Sequence, residues 1–267
     1  MKRNEIINTD CYEYLRSQPD ESVDFVLTSP PYDTMRLYKR KVEWSFDKFR
    51  AIAAELARCI KPGGVIVWVV GDETIDHSET GTSFRQALFF MEQGLKLHDT
   101  MIFEKANPMP GYRPTMYRQC FEYMFVFSKG EIKTFNPIME KTTTTRETVY
   151  RKANKWSMEN GKTTSGEQKR PTPGMRYHNN IFRYGVGGVS VDHPATFPIQ
   201  LAIDMIYTYT DESMTVYDPF AGSGTTNLAA WRLNRSAIGT EIVEEYAVLA
   251  RNRIAAAMAQ QKIDFGA

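Results

Sequence analysis

The sequence is poor in the features that mark secreted, metal-binding and membrane proteins. Its three cysteines, Cys11, Cys59 and Cys120, are odd in number and too widely spaced for a zinc pattern. They offer no disulfide framework, which is typical of a protein in a reducing cytoplasm. No apolar run is long enough to cross a bilayer, and the N-terminal residues lack the apolar core of a signal peptide. We therefore expect a cytoplasmic protein with no metal site and no membrane partner.

Net charge is also small. The formal charge is +1 at pH 7, so the chain as a whole lacks the basic excess that indicates a nucleic-acid partner. The charge is uneven, however, because residues 129–183 contain twelve Lys and Arg against five Glu and no Asp. Apolar periodicity fades in this stretch, and a solvated surface insertion is its plainer interpretation. Since it lies between the two ligand-binding motifs described below, we favour a segment that binds phosphates.

Strand and helix patterns alternate along the rest of the chain. The 267 residues are 42% hydrophobic, which suffices for one sizeable core. Strands are predicted at 5–7, 23–27, 65–70, 98–103, 122–127, 215–217 and 236–240, and helices at 12–16, 49–60, 83–94, 199–207, 225–233 and 244–257. This alternation predicts a doubly wound, mostly parallel α/β sheet with helices on both faces. Strands 98–103 and 122–127 have no evident helix between them, so we expect an antiparallel edge strand.

A glycine-rich turn follows the predicted strand 215–217. It reads Asp218-Pro219-Phe220-Ala221-Gly222-Ser223-Gly224-Thr225 and leads into a predicted helix. The glycines allow close backbone approach, and amides at the helix start can bind polar ligand groups. Asp218 lies at the carboxyl end of a strand, where open α/β sheets bind ligands, and Glu241 ends the next strand at a spacing that suits ribose hydroxyls. The alternatives are a tight turn without a ligand and a surface carboxylate at a helix start.

A second motif, Thr28-Ser29-Pro30-Pro31-Tyr32, follows the predicted strand 23–27. Its two prolines make the turn rigid, and Pro31 removes an amide donor. The Ser29 side-chain oxygen and the Pro30 carbonyl can accept the two hydrogens of an exocyclic amine on cytosine or adenine, and Tyr32 can stack on the ring. An amine held in this way could accept a methyl group. With a sulfonium as the methyl donor, the transfer would be direct, so catalysis would depend on positioning and electrostatics and would need no covalent intermediate. An ordinary double-proline turn with an exposed tyrosine is the alternative.

In this order, the two motifs resemble motifs IV and I of the permuted beta group of amino-DNA methyltransferases, the N4-cytosine and N6-adenine enzymes. Asn8-Thr9-Asp10 resembles motif III, Glu241 matches the acid of motif II, and His193-Pro194-Ala195-Thr196-Phe197-Pro198 resembles motif X. The resemblance implies a Rossmann-like class I methyltransferase fold, with S-adenosyl-L-methionine as the cofactor. It divides the chain into a catalytic half (1–128), an inserted target-recognition segment (129–190) and a cofactor-binding half (191–267).

The candidate site residues fall into three groups. The predicted catalytic residues are Ser29, Pro30, Pro31 and Tyr32. The expected cofactor contacts are Asp10, Thr28, Asp218, Pro219, Phe220, Ala221, Gly222, Ser223, Gly224, Thr225, Glu241, His193 and Pro194. The target base of a duplex must be flipped out, and the expected DNA contacts are Arg36, Lys39, Arg40, Lys41, Arg146, Arg151, Lys152, Lys155, Lys169, Arg170 and Arg176.

The serine at the start of the catalytic motif bears on the target base. In the family that the chain resembles, Ser-Pro-Pro-Tyr is more typical of N4-cytosine enzymes and Asp-Pro-Pro-Tyr of N6-adenine enzymes. We therefore predict a site-specific cytosine-N4 methyltransferase of double-stranded DNA, with adenine-N6 as the alternative. The resemblance also suggests a homodimer and a cognate restriction endonuclease. A protein-glutamine or RNA methyltransferase and a non-catalytic DNA-binding protein are more distant alternatives.

Overall fold

The computed structural model describes residues 3–31, 44–108, 115–142, 174–185 and 197–264, with side chains to residue 260. Its strands are β1 (Asn4–Asn8), β2 (Val23–Thr28), β3 (Ile60–Val70), β4 (Thr74–Ile75), β5 (Ser78–Glu79), β6 (Lys96–Lys105), β7 (Phe121–Ser128), β8 (Met139–Lys141), β9 (Met175–Tyr177), β10 (Ile181–Tyr184), β11 (Thr215–Asp218) and β12 (Ser236–Glu241). Its helices are α1 (Cys11–Ser17), α2 (Phe46–Cys59), α3 (Thr82–Glu92), α4 (Ile199–Tyr209), α5 (Thr225–Arg232) and α6 (Glu244–Asp264). Every strand and helix predicted from periodicity is present.

One compact unit comprises Met1–Asn136 and Asn180–Ala267. Within its described residues, eight strands form a sheet in the order β1-β12-β11-β2-β3-β7-β6-β10. Of these eight described strands, only β7 runs antiparallel to its neighbours, β3 and β6. The predicted fold class, a mostly parallel α/β sheet, is therefore confirmed.

The predicted position of the antiparallel strand is wrong. The chain returns directly from β6 to β7, without a crossover helix in the described residues, so these two strands pair antiparallel. However, β10 pairs in parallel with β6 and takes the edge, which leaves β7 inside the sheet. β10 has only four residues, of which Phe182 alone is buried, and it lies at the end of the polar stretch in which apolar periodicity fades.

The start of β3 also differs from the prediction. Ser45 caps α2 by accepting a hydrogen bond from the Lys48 amide at 3.2 Å, and the helix ends at Cys59. The sequence predicts a helix over 49–60 and a strand that begins at residue 65, but Ile60 and the intervening Lys61-Pro62-Gly63-Gly64 lie inside β3. They form an irregularity in the pairing with β2, where Ile60 pairs with Val23 and Val65 with Phe25. Gly63 takes a positive φ of 79° there, a conformation that glycine adopts without steric cost.

The core lies around the central strands. Residues 65–70 are buried without interruption, as expected for a strand that is covered on both faces. The polar atom of Trp68 is satisfied, because its Nε1 donates to Gln86 Oε1 of α3 at 2.8 Å. The turn after β2 carries Ser29, Pro30 and Pro31, so these residues directly follow a buried central strand.

Gly239 in β12 lies in a position that no larger side chain can fill. A Cβ at this position would lie 2.6 Å from Asn227 Oδ1 and 2.8 Å from Ala221 Cβ and Ile6 Cδ1. We expect Gly239→Ala to lower the free energy of unfolding by about 1–3 kcal/mol, measured by urea denaturation. Gly185→Ala is the control, since its Cβ would meet only Asn107 Oδ1, at 3.8 Å. Equal shifts in the two variants would contradict this explanation.

Pro137–Asn179 form a second compact unit. Its described strands β8 and β9 pair antiparallel, with Glu140 opposite Arg176. The unit lies within the range 129–190 that we predicted to recognise the DNA target, and that role stays a prediction. Across the described parts of both units, no helix is long and apolar enough to span a membrane. The same residues contain no group of three His, Cys, Asp or Glu that could hold a metal ion.

Candidate active site

The two motifs meet at neighbouring strand ends. β11 and β2 pair in parallel, with Val216 opposite Phe25, so the turns that follow them leave the same edge of the sheet. At this edge, the Thr28 hydroxyl donates a hydrogen bond to Asp218 Oδ1 at 2.6 Å. Both side chains are buried. One hydrogen bond therefore connects the residue before Ser29 with the first residue of the glycine-rich turn.

Asp218 is a buried carboxylate that accepts hydrogen bonds from neighbouring groups of the protein. Its Oδ1 also accepts the Phe220 amide at 3.0 Å. Burial raises the pKa of Asp218 to about 6, and hydrogen bonds from Thr28, Thr226 and the Phe220 amide oppose that rise. The side chain therefore carries its charge at neutral pH and loses it under mildly acidic conditions.

Glu241 holds the glycine-rich turn from the neighbouring strand β12. Its Oε2 accepts the Gly222 amide at 2.9 Å, and its Oε1 accepts the Val243 amide at 2.8 Å. Burial raises the pKa of Glu241, and these amides counteract it. The Ile242 amide also bonds this carboxylate. A carboxylate has about four acceptor positions, so a hydroxyl group of a ligand can still bind. The Gly222 amide, by contrast, already has a partner within the protein.

The glycines of this turn are required by its backbone. Gly222 and Gly224 have positive φ angles of 50° and 75°. Gly224 is the N-cap residue of α5, and a Cβ at this position would lie 3.0 Å from Ala250 Cβ of α6. The turn thus needs glycine both for its conformation and for the close approach of α6.

The end of β1 joins the same edge. The Asn8 side-chain amide and the Thr9 backbone amide both donate to the Glu241 carbonyl, at 2.8 and 3.1 Å. Asp10 follows directly and caps α1, with its Oδ1 accepting the Tyr12 amide at 2.7 Å. This cap fixes the Asp10 side chain near the strand that carries Glu241.

Two residues near the glycine-rich turn were not predicted from the sequence. The Trp44 ring packs edge-on against Phe220, with centroids 5.4 Å apart. Arg253 of α6 donates to Ser223 and Thr225. Trp44 lies outside any periodic element, and Arg253 has the sequence pattern of a solvated helix residue. Only the fold brings these two side chains to the turn.

The structure describes part of the remaining candidate set. In the predicted catalytic motif, Ser29 is half-buried, and Pro30 and Pro31 are buried. The glycine-rich turn has further buried candidates, which are Pro219, Ala221, Ser223 and Thr225. Arg176 lies in β9, with its Nε 2.8 Å from Glu140 Oε1. The candidates outside the described residues are Tyr32, Arg36, Lys39, Arg40, Lys41, Arg146, Arg151, Lys152, Lys155, Lys169, Arg170, His193 and Pro194.

A mostly parallel sheet with two acids and a glycine turn at its carboxyl edge defines an α/β enzyme that binds a nucleoside cofactor. The sequence model of the DNA methylase family, which comprises N6 and N4 methyltransferases, matches residues 23–252. The chain therefore belongs to this family, and the resemblance inferred from its motifs is confirmed.

Relatives and solved structures agree with this family. The chain is 42% identical over 255 residues to the orphan methyltransferase M.BamHII of Bacillus amyloliquefaciens, covering 88% of this chain and 89% of that protein. It resembles TTHA0409 of Thermus thermophilus, solved in complex with S-adenosyl-L-methionine, with a TM-score of 0.64, 26% identity and coverage of 94% and 95%. The cytosine-N4-specific PvuII DNA methyltransferase has a TM-score of 0.71 at 21% identity, with coverage of 94% and 86%, and supports the fold.

Proposed function

We propose that this DNA methyltransferase transfers a methyl group from S-adenosyl-L-methionine to the exocyclic N4 amine of a flipped cytosine in duplex DNA. The observation that carries the proposal is the hydrogen bond between Thr28 and Asp218 at adjacent strand ends. In-line transfer requires the amine and the methyl donor to be held together. The turn that accepts the amine and the turn that binds the cofactor leave one edge of the sheet, which satisfies this requirement.

The residues at this edge fit S-adenosyl-L-methionine. Asp218 offers a carboxylate to the ammonium group of the cofactor, and Glu241 offers its remaining acceptor position to a ribose hydroxyl. The cofactor supplies an electrophilic methyl group on a sulfonium. The TTHA0409 complex, a structure similar to this chain, contains the same cofactor.

Ser29 and Pro30 prepare the amine. The Ser29 side-chain oxygen and the Pro30 carbonyl accept its two hydrogens and turn its lone pair out of conjugation with the ring. Positive charge develops on the nitrogen during transfer, so both hydrogen bonds strengthen in the transition state. Ser29 is neutral, and the Ser-Pro-Pro-Tyr sequence supports cytosine over adenine. Adenine N6 is the second candidate, because the same two acceptors suit either amine.

The experiment is labelled methyl transfer to duplex DNA of varied sequence, followed by nucleoside analysis. We expect N4-methylcytosine as the product, and equal amounts of RNA and protein substrates should not compete. A product containing N6-methyladenine alone would contradict the cytosine assignment. Absence of transfer to any duplex, with labelled RNA or protein instead, would contradict a DNA substrate.

Cofactor binding should depend on pH through Asp218. Its pKa in the folded protein is about 6, against an ordinary value of 3.8, so the charge that attracts the cofactor ammonium is lost as pH falls through 6. We expect the affinity for S-adenosyl-L-methionine, measured by calorimetry, to weaken as pH falls from about 7 to below about 6. In Asp218→Asn this acid dependence should disappear. If the dependence persists in that variant, another group is responsible.

The same raised pKa has the opposite effect on the stability of the protein without cofactor. A raised carboxyl pKa means that the folded state binds the proton more tightly, so the contribution of Asp218 to stability grows as pH falls from about 7 towards 4.

The homodimer, the cognate endonuclease and the DNA-contacting role of the basic residues remain predictions from the sequence.

A further inference from the structure

Arg253 of α6 contacts the cofactor turn from the side of the closing helix. Its Nη1 lies 3.1 Å from the Ser223 carbonyl oxygen, 3.1 Å from Ser223 Oγ and 3.0 Å from Thr225 Oγ1. Ser223 and Thr225 are 2% and 5% exposed, and Arg253 is half-buried. The guanidinium therefore contacts two buried hydroxyls of the turn.

Arginine determines which way these hydroxyl hydrogens point. A guanidinium can only donate, and Nη1 shares its two hydrogens among these three oxygens. Neither hydroxyl hydrogen can therefore point at Arg253, and both must point to other acceptors. The two hydroxyl oxygens are 3.4 Å apart, so one of them can donate to the other. At least one hydroxyl hydrogen then remains for an acceptor outside the pair.

The charge of Arg253 is held by neutral groups. In the part of the chain that the structure describes, its guanidinium donates to a carbonyl oxygen and two hydroxyl oxygens. Burial and the nearby Arg232 lower its pKa, which reflects the cost of holding this cation away from water. An anion that accepts hydrogen bonds from these hydroxyls would relieve that cost.

The proposed cofactor has one anionic group, the carboxylate of its methionine end. The carboxylates of Asp218 and Glu241 repel an anion, and they suit the cofactor ammonium and the ribose hydroxyls instead. Ser223 and Thr225 are the remaining residues of the turn that can donate to the cofactor carboxylate. We propose that Arg253 is a positioning residue that orients the Ser223 and Thr225 hydroxyls to donate to the cofactor carboxylate. This inference rests on the proposed function, because it takes S-adenosyl-L-methionine as the ligand.

Two ligands that differ only in this carboxylate give the test. Calorimetry on the full-length protein compares S-adenosyl-L-methionine with decarboxylated S-adenosylmethionine, which keeps the sulfonium and the ammonium. We expect Arg253→Gln to weaken binding of the first ligand about tenfold and that of the second by less than about twofold. Arg253→Lys should restore part of the difference, since it keeps the charge and one donor.

Further variants separate this role from a structural one. Arg251→Gln is the matched control, because Arg251 lies on the same helix and donates to the Ile6 carbonyl at 2.9 Å instead of the turn; it should change neither affinity. Thr225→Val keeps the side-chain shape and should show the same selective loss as Arg253→Gln, which keeps the test valid if that variant fails to fold.

Three results would overturn the inference. Equal weakening of both ligands in Arg253→Gln and Thr225→Val would show that these residues only maintain the turn. Unchanged affinity for S-adenosyl-L-methionine in both variants would show that the carboxylate binds elsewhere. Binding of neither ligand by the wild-type protein would overturn the proposed function as well, whereas wild-type binding with either of the first two results overturns this inference alone.

Discussion

Asp218→Asn is expected to lower the affinity for S-adenosyl-L-methionine by about a hundredfold while the protein stays folded. Asparagine keeps an oxygen that can accept from Thr28 and from the Phe220 amide, at present 2.6 and 3.0 Å away. It loses the charge that binds the cofactor ammonium, and hydrogen bonds to charged groups contribute about 1.5–3 kcal/mol. Calorimetry gives the affinity, and thermal unfolding confirms that the variant is folded.

Asp24→Asn is the matched control for this prediction. Asp24 lies at the opposite end of the same strand pair, where its Oδ2 accepts the Thr215 amide at 3.0 Å and its Oδ1 pairs with Lys61 at 2.8 Å. We expect this variant to lose stability but to bind the cofactor normally once folded. Similar losses of cofactor affinity in both variants would mean that Asp218 acts through the fold and not through the ligand.

Ser29→Ala is expected to reduce kcat for DNA methylation by about 10²–10³-fold with little change in cofactor affinity. The expected reduction of kcat has this size because the variant removes one hydrogen bond that strengthens in the transition state. The change should fall on kcat, because Pro30 and the ring contacts still hold the base in the ground state. Steady-state kinetics on a methylatable duplex and calorimetry with the cofactor measure the two quantities.

Ser22→Ala provides the comparison for Ser29. Ser22 lies just before β2, and its exposed hydroxyl donates to the Pro19 carbonyl at 2.8 Å. This variant should keep wild-type kcat, since it lies at the other end of the strand from the catalytic turn. If kcat of Ser29→Ala is close to that of Ser22→Ala, Ser29 does not take part in catalysis.

Much of the fold was predictable because its central strands are buried on both faces. Residues 65–70 form one apolar run that leaves little choice of structure. β10 was missed because its pairing with β6, and not its own four residues, makes it a strand. Pro62-Gly63-Gly64 lies between the predicted helix 49–60 and the predicted strand 65–70, because proline and glycine disfavour both structures, whereas pairing with β2 extends β3 through it.

In the candidate site, too, some features were predictable from local sequence and others depend on the fold. Asp218 and Glu241 were predicted because each follows a recognisable strand. The interactions that connect them to the rest of the site depend on contacts between distant segments, such as Thr28 with Asp218 across 190 residues. The contacts of Arg253 with Ser223 and Thr225 could not be predicted from an alanine-rich helix, because they depend on the close approach of Ala250 to Gly224. Local chemistry therefore predicts the motifs, while the fold determines which side chains support them.

The most direct test is to analyse the DNA of a host that expresses this protein, by mass spectrometry of nucleosides and single-molecule sequencing. The hosts to compare express the wild-type protein, Ser29→Ala and Asp218→Asn. We predict N4-methylcytosine in one sequence context with the wild-type protein, and a large reduction with both variants. Modification restricted to N6-methyladenine would contradict the cytosine assignment, and equal modification by all three proteins would contradict the site.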